Sequence, residues 1–447
     1  MDTTISWELV RTIFILHYHL NPGGVTRIIE SQARALRRLD PHCPVVVLTG
    51  GDDGDHTMLR DMGVRIEKNG LLNYLPQTTT PEQAKETLAA MHDFLSAKVG
   101  PGDILHAHNI NLGKNPLLTL AVYRLAESGI AVVNHCHDFA EDRPANYRFL
   151  KRMLEPLARR PLEEILYPDL PRLVYVVLNS TDKQKLISYG VKANKVFHVP
   201  NPVGEPRGGI SKEAAKALLQ KSLGLHKSRM IITFPVRVIR RKNIGEFILL
   251  AHLFKSRSHW LVTQAPKNPV EIEHYLQWKE FCRKHSIAVH FEVGDRLDFE
   301  TIMRGSDACI STSVQEGFGM AFMEPWSFGT PVIGRDIPSV TLDLKKMGVR
   351  LPMLYNELIV VFNGQSRDFA ELSMEEQMSF IKSVIDTPAV AEQIIRLNPF
   401  LKTALEPPKT GLIAHNQEVL KKDFTIAAYG KRLFAIYDSI AQGSGYS

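Results

Sequence analysis

The stretch SVQEGFGMAFMEPWSFGTPVIGR (313–335) sets two carboxylates, Glu316 and Glu324, around a glycine-rich turn, with seven residues between them. An apolar run, DACIST, precedes it, so the turn leaves the carboxyl end of a buried strand and leads into a helix. Glycines there let backbone amides approach a ligand, and a helix amino end favours anions. Carboxylates accept hydrogen bonds from sugar and ribose hydroxyls. A capped helix with exposed acids explains either glutamate alone. It does not explain the whole string of EGFG, a later Glu and then G-TPVI behind a strand. A second segment, FPVRVIRRKNIGEF (234–247), follows the apolar run MIITF and carries Arg237 and Lys242. The guanidinium fork and the point charge of the ammonium both suit phosphate oxygens, and both stabilise charge building on a leaving group. To Arg240 and Arg241 the sequence assigns no role.

The amino-terminal half offers weaker candidates. HYHLNPGGVTRIIE (17–30) joins a strand to a helix through Gly23-Gly24. That pattern suits either close approach of a phosphate to the helix amino end or a purely structural turn. NHCHDFAEDR (134–143) ends another strand at His137-Asp138, and HAHN (106–109) ends a third at His108. His135-Cys136-His137 can be read as a metal cluster. Alternating strand residues point to opposite faces, however, and no second Cys/His pair shows ligand spacing, so no metal is expected. Asp53-Gly54-Asp55 spells a D-x-D metal motif inside GGDDGD and reads as a polar turn.

Short β-branched runs alternate with amphipathic stretches: IFILH (13–17), PVVVLT (44–49), DILHA (103–107), IAVVN (130–134) and VYVVLN (174–179). Val25, Ile28, Ile29, Leu36 and Leu39 share one face of the first helix. The alternation breaks at the Pro/Gly linker VPNPVGEPRGG (199–209), restarts with MIITFPV, and continues through HWLVT, AVHFE, ACIST and PVIG. This predicts an α/β chain with two parallel-sheet units and sites at the carboxyl ends of strands. Boundaries fall at 1–203, 204–422 and a final helix in 423–447, which either closes the second unit or crosses back to the first.

Composition adds limits. The chain has 447 residues, a formal net charge of +6 and four scattered cysteines. These values suit anionic small molecules, a reducing cytoplasm and no disulfide framework. No interleaved basic and aromatic stripe points to nucleic acid. Acids precede the short first apolar run, and no run approaches a membrane span, so neither a signal peptide nor an anchor is expected. The basic segment 143–168 suits a phosphorylated or carboxylate-bearing acceptor such as a glycerate derivative, an anionic membrane surface, or simply solvent.

From about residue 12 to 334 these motifs resemble glycosyltransferase family 4. That is a retaining group of GT-B fold, with two Rossmann-like domains whose parallel sheets face an interdomain cleft. The resemblance implies an acceptor-binding amino-terminal domain and a nucleotide-sugar-binding carboxyl-terminal one. It implies catalytic roles for Glu316, Arg237, Lys242 and His137, and donor contacts for Gly23, Gly24, Phe318, Gly319 and Glu324. Weaker acceptor-side roles fall to His108 and Asp138. Transfer of a hexose from a UDP-, GDP- or ADP-sugar to a small-molecule or glycan hydroxyl is the implied activity, without metal or other cofactor. A disaccharide phosphorylase of the same fold and a catalytically silent sugar-nucleotide-binding subunit are the alternatives. Three features depart from the family. Pro325 stands where small residues are usual and is tolerable only early in a helix. Asn243 replaces a glycine after the lysine, and the likeness fades between 335 and 420.

Overall fold

The computed structural model describes residues 11–442 apart from 52, 53 and 55. Both acids of the D-x-D string, Asp53 and Asp55, therefore lie outside the described residues. The chain divides into two compact units. The first runs to Pro202 and resumes at Phe424; the second spans Val203–Asp423.

Seven parallel strands form the first unit's sheet: β1 (Ile13–His19), β2 (Val45–Gly51), β3 (Arg65–Lys68), β4 (Ile104–His108), β5 (Ala131–Cys136), β6 (Leu173–Val177) and β7 (Val196–His198). Their order is β3-β2-β1-β4-β5-β6-β7. Helices cover both faces, which is why the central strands read as largely apolar runs. Alternation sends Phe14, Leu16 and Val132 into one core layer and Ile13, Ile15 and Val133 into the other. The final helix, Ile426–Gln442, packs Tyr429, Leu433, Ile436 and Tyr437 into that second layer. Of the two places the sequence left open for it, the helix takes the first unit.

Six parallel strands form the second sheet: β8 (Met230–Arg237), β9 (Ser258–Gln264), β10 (Val289–His290), β11 (Ala308–Ser311), β12 (Val332–Arg335) and β13 (Leu354–Tyr355). They are ordered β10-β9-β8-β11-β12-β13, and a separate antiparallel hairpin pairs Ile359–Phe362 with Gln365–Asp368. The two edge strands AVHFE and 354–355 pair over only two residues each. Among the described residues, no helix is long and apolar enough to cross a membrane.

Candidate functional site

In the second unit, β8 and β11 are neighbours and run parallel, so the segments that follow them emerge at the same sheet edge. Past β8 the chain makes a single 3-10 turn, Arg240–Lys242, then enters the helix Ile244–Leu253. Asn243 joins the two with a left-handed backbone, φ 49°. This accounts for the family's glycine at that point: the position needs positive φ, which asparagine tolerates better than most residues. Thr312 Oγ1 donates to the carbonyls of Lys242 and Asn243 at 2.9 Å each, tying the turn to the strand end beside it.

That tie brings the charges together. Lys242 Nζ bonds Glu316 Oε1, Arg241 Nη1 reaches Glu316 Oε2 at 3.3 Å, and Ser313 Oγ donates to Oε1 at 2.7 Å. Arg241 also donates to the carbonyl of Gln315 at 3.0 Å. Arg241 and Ser313 are site residues the sequence reading missed; only the adjacency of Arg241 to Lys242 hinted at them. Lys242 is buried, and burial pulls its pKa below the usual lysine range, with the Glu316 charge acting in the opposite direction. Arg237 closes β8 half-buried and donates from Nε to Gln264 Oε1 at 3.4 Å.

The turn itself is built for close packing. Phe318 is buried, and Gly319 sits at φ 81°, where a Cβ would lie 2.6 Å from Val340 Cγ1 and 2.9 Å from the Phe322 ring. Glu324 opens a helix of only four residues, Glu324–Ser327, behind a 3-10 turn at Met320–Phe322. The helix expected from the sequence is one short turn, with Pro325 at its start, where its missing N–H costs nothing. Gly319→Ala is expected to lower unfolding stability by about 2 kcal/mol or more, from positive φ plus overpacking. Denaturant unfolding of the purified variant measures it.

In the first unit, Gly23 precedes the helix Gly24–Leu39 in extended conformation and, as its N-cap residue, has no side chain to cap it. A Cβ at Gly24 would meet nothing within 4 Å. Packing therefore does not demand glycine there.

His108 and His137 belong to a buried stack that overturns the sequence argument about ligand spacing. His135 and His137 share one face of their strand, with Cys136 on the other, and β4 alongside supplies His106 and His108. Ring nitrogens of His106, His108 and His135 lie within 4.8 Å of one another. Imidazole lone pairs lie in the ring plane, so one ion must sit near every ligand's plane. Within that trio the rings of His108 and His135 instead stack at 29°, with centres 4.9 Å apart. The ring nitrogens of this group hydrogen-bond to one another and to Gln32 and Tyr437. His108 Nε2 meets Gln32 Oε1 at 2.8 Å, so that nitrogen carries the proton and Nδ1 accepts from His137 Nε2 at 2.8 Å. The Gln32 amide donates to Tyr437 Oη at 2.7 Å, and Tyr437 donates to His106 Nδ1 at 2.8 Å. His106 Nε2 then donates to His135 Nδ1 at 3.1 Å, leaving the His135 Nε2 proton buried without a partner among the described residues. Asn109, at φ 57°, accepts from the backbone N–H groups of His137 and Asp138 at 2.7 and 3.1 Å. Asp138 pairs with Arg143 at 3.1 Å.

Comparison with known proteins gives consistent matches. The family described as "Glycosyl transferase 4-like domain" matches residues 23–202, and "Glycosyl transferases group 1" matches residues 216–375. Mannosylglucosyl-3-phosphoglycerate synthase of Petrotoga mobilis is 28% identical over 337 residues, covering 70% of this chain and 63% of that one. Mannosylglucosylglycerate synthase of the same organism is 24% identical over 286 residues, covering 56% and 64%. The alignments thus span less than two thirds of either relative's length. Among solved structures, Anabaena HepE in complex with UDP and glucose superposes with TM-score 0.60 at 15% identity, covering 96% of this chain and 99% of that one. Sucrose-phosphate synthase from Thermosynechococcus elongatus gives 0.61 at 15%, covering 97% and 100%.

Proposed function

Because this chain belongs to the group 1 glycosyltransferases of GT-B fold, we propose that it moves a hexose from a nucleoside-diphosphate sugar to a hydroxyl of a small anionic acceptor, with retention of configuration and no resident metal. The observation that carries this reading is the grouping of Lys242, Arg241 and Ser313 on Glu316 at one sheet edge. A carboxylate offers about four acceptor sites. Three are taken here, leaving capacity for a sugar hydroxyl. The ammonium and the guanidinium likewise keep N–H donors beyond those spent on Glu316, and these suit the donor's phosphate oxygens. The name of the first Petrotoga relative supports a phosphorylated acceptor. UDP-, GDP- and ADP-sugars are all compatible with the residues present.

In the proposed step, the acceptor oxygen bonds to the anomeric carbon on the face from which the diphosphate leaves. The carbon–oxygen bond to phosphate breaks, and the acceptor's proton passes to a leaving-group oxygen. No protein nucleophile takes part. Lys242 and Arg237 stabilise the charge gathering on the diphosphate. Glu316 orients the sugar, and Glu324 holds the ribose. Family membership, rather than a contact in the structure, assigns Gly23 and Gly24 to the donor and His108, His137 and Asp138 to the acceptor side.

The test is product analysis with each donor and with glycerate-type acceptors. The expected product keeps the donor's anomeric configuration by NMR, releases nucleoside diphosphate, and forms at an unchanged rate in EDTA. An inverted product or an EDTA-dependent rate sinks the mechanism. Release of sugar only against inorganic phosphate would make the protein a phosphorylase instead.

A further inference from the structure

Lys114 stands in the segment that follows the carboxyl end of β4, and its surroundings hold it in place. Gly113, at φ 74°, brings the backbone so close to the helix Pro144–Ala158 that a Cβ would lie 2.7 Å from the carbonyl of Asn146. Asn146 Nδ2 donates to the Leu112 carbonyl at 2.9 Å. On the other side, Asn115 Nδ2 donates to the carbonyls of Leu71 and Asn73 at 3.1 and 2.7 Å, and Leu75 N–H donates to the Lys114 carbonyl at 2.9 Å. The ammonium lies 5.3 Å from the ring centre of Tyr74. The Tyr74 hydroxyl pairs with His19 Nε2 at 3.0 Å, at the last residue of β1.

Lys114 is half-buried and, among the described residues, forms no ion pair with a carboxylate. Burial lowers its pKa first, and the charge of Arg143 lowers it further, so a second cation is close by. Arg143 follows β5 and precedes the helix Pro144–Ala158, whose amino end has no side-chain cap. Three sources of positive potential therefore meet at one sheet edge. They are an ammonium that pairs with no carboxylate among the described residues, a guanidinium that shares Asp138, and a helix amino end without a side-chain cap from its N-cap residue. A half-desolvated cation is costly unless an anion meets it, and a helix amino end adds donors aimed at that anion.

We propose that Lys114, Arg143 and the amino end of the helix Pro144–Ala158 form the subsite for the phosphate of the acceptor. The inference rests on the glycosyltransferase reading and gives its acceptor side a chemical class. On binding, the phosphate takes the ammonium directly, and Arg143 divides its fork between phosphate and Asp138. Tyr74 and His19 wall the subsite. A dianion gains more here than a lone carboxylate.

Calorimetric titration of the full chain with 3-phosphoglycerate, glycerate and inorganic phosphate tests this. The expected result is saturable binding of 3-phosphoglycerate and binding of glycerate weaker by about tenfold or more. Lys114→Met should weaken 3-phosphoglycerate binding by about 30-fold, the scale of losing one partner of a charge-assisted bond. Lys114→Arg should restore most of it, which a misfolded site would not allow. Lys85→Met, on an exposed helix face of the same unit, should leave binding unchanged. Wild-type protein that does not bind 3-phosphoglycerate, or Lys114→Met that binds it equally well, overturns the subsite. So does inorganic phosphate binding as tightly as 3-phosphoglycerate, because the site would then serve the free ion. Nucleoside-diphosphate titration of the same proteins separates the two levels. Its absence in the wild type refutes the transferase reading, whereas its persistence beside lost phosphoglycerate selectivity refutes only the subsite.

Discussion

Lys242→Ala is expected to lower turnover by about a hundredfold or more, the scale of losing one donor to charge that develops in the transition state. Arg237→Ala should lose a similar factor. The reasoning starts from burial. Lys242 is kept from water yet fixed on Glu316, so its charge is aimed and costs no reorganisation when a diphosphate leaves. Alanine removes that charge and leaves Glu316 on Arg241 and Ser313 alone. The loss should fall on kcat more than on the KM for donor, since charge grows only as the bond breaks. Glu316→Gln provides an independent check. Burial depresses the Lys242 pKa and the Glu316 charge lifts it, so removing that charge must lower it further. If turnover needs protonated Lys242, the alkaline limb of the rate profile moves to lower pH in Glu316→Gln. Near-normal rates in both Lys242→Ala and Arg237→Ala would refute the assignment.

Why some of this was legible in the sequence and some was not follows from how far each signal reaches along the chain. The central strands announce themselves because burial on both faces makes them apolar over much of their length, as in Ile13–His19 and Met230–Arg237. The edge strand Arg65–Lys68 is largely exposed and carries only one apolar residue, so no period marks it. Local turn chemistry also survives translation: Asn363-Gly364 closes the hairpin, and its dipeptide was a readable signal that went unused. The stretch 335–420 was opaque for another reason. Its organising feature is an ion cluster assembled from distant segments. Arg335 bonds Glu246 at 2.6 Å and also Asp368, and Tyr355 donates to Glu246 at 2.5 Å. The same limit hid the partners of the best motif. Glu316 was visible by type and spacing, but Arg241 and Ser313 gain meaning only once β8 and β11 lie side by side. In the first unit, His106 and His135 looked unrelated until strand register set β4 against β5.

That histidine stack leads to the second large effect, an acid-induced opening of the first unit. His17, His106 and His137 are buried and neutral, and burial holds the pKa of each down to about 3. His108 and His135 are pushed well below the usual value by the same cause. The sign follows from proton linkage. Well above pH 6.5 both folded and unfolded histidines are neutral, and stability does not depend on them. Below it the unfolded chain binds protons that the folded stack refuses, so stability falls as pH drops from 6.5 toward 3. At pH 5.5 each such histidine costs about 1.4 kcal/mol, and the three with values near 3 together cost about 4 kcal/mol. That is a large share of the roughly 5–15 kcal/mol that holds a domain folded. The stack has little means of absorbing a proton, because its side-chain partners Gln32 and Tyr437 are neutral and the His135 Nε2 proton already lacks an acceptor. Hydrogen exchange at pH 7.5 and 5.5, corrected for intrinsic rates, should show β4 and β5 losing protection while β8 and β11 keep theirs. Equal protection of both sheets across that range would show that the stack accepts protons without opening, contrary to its burial.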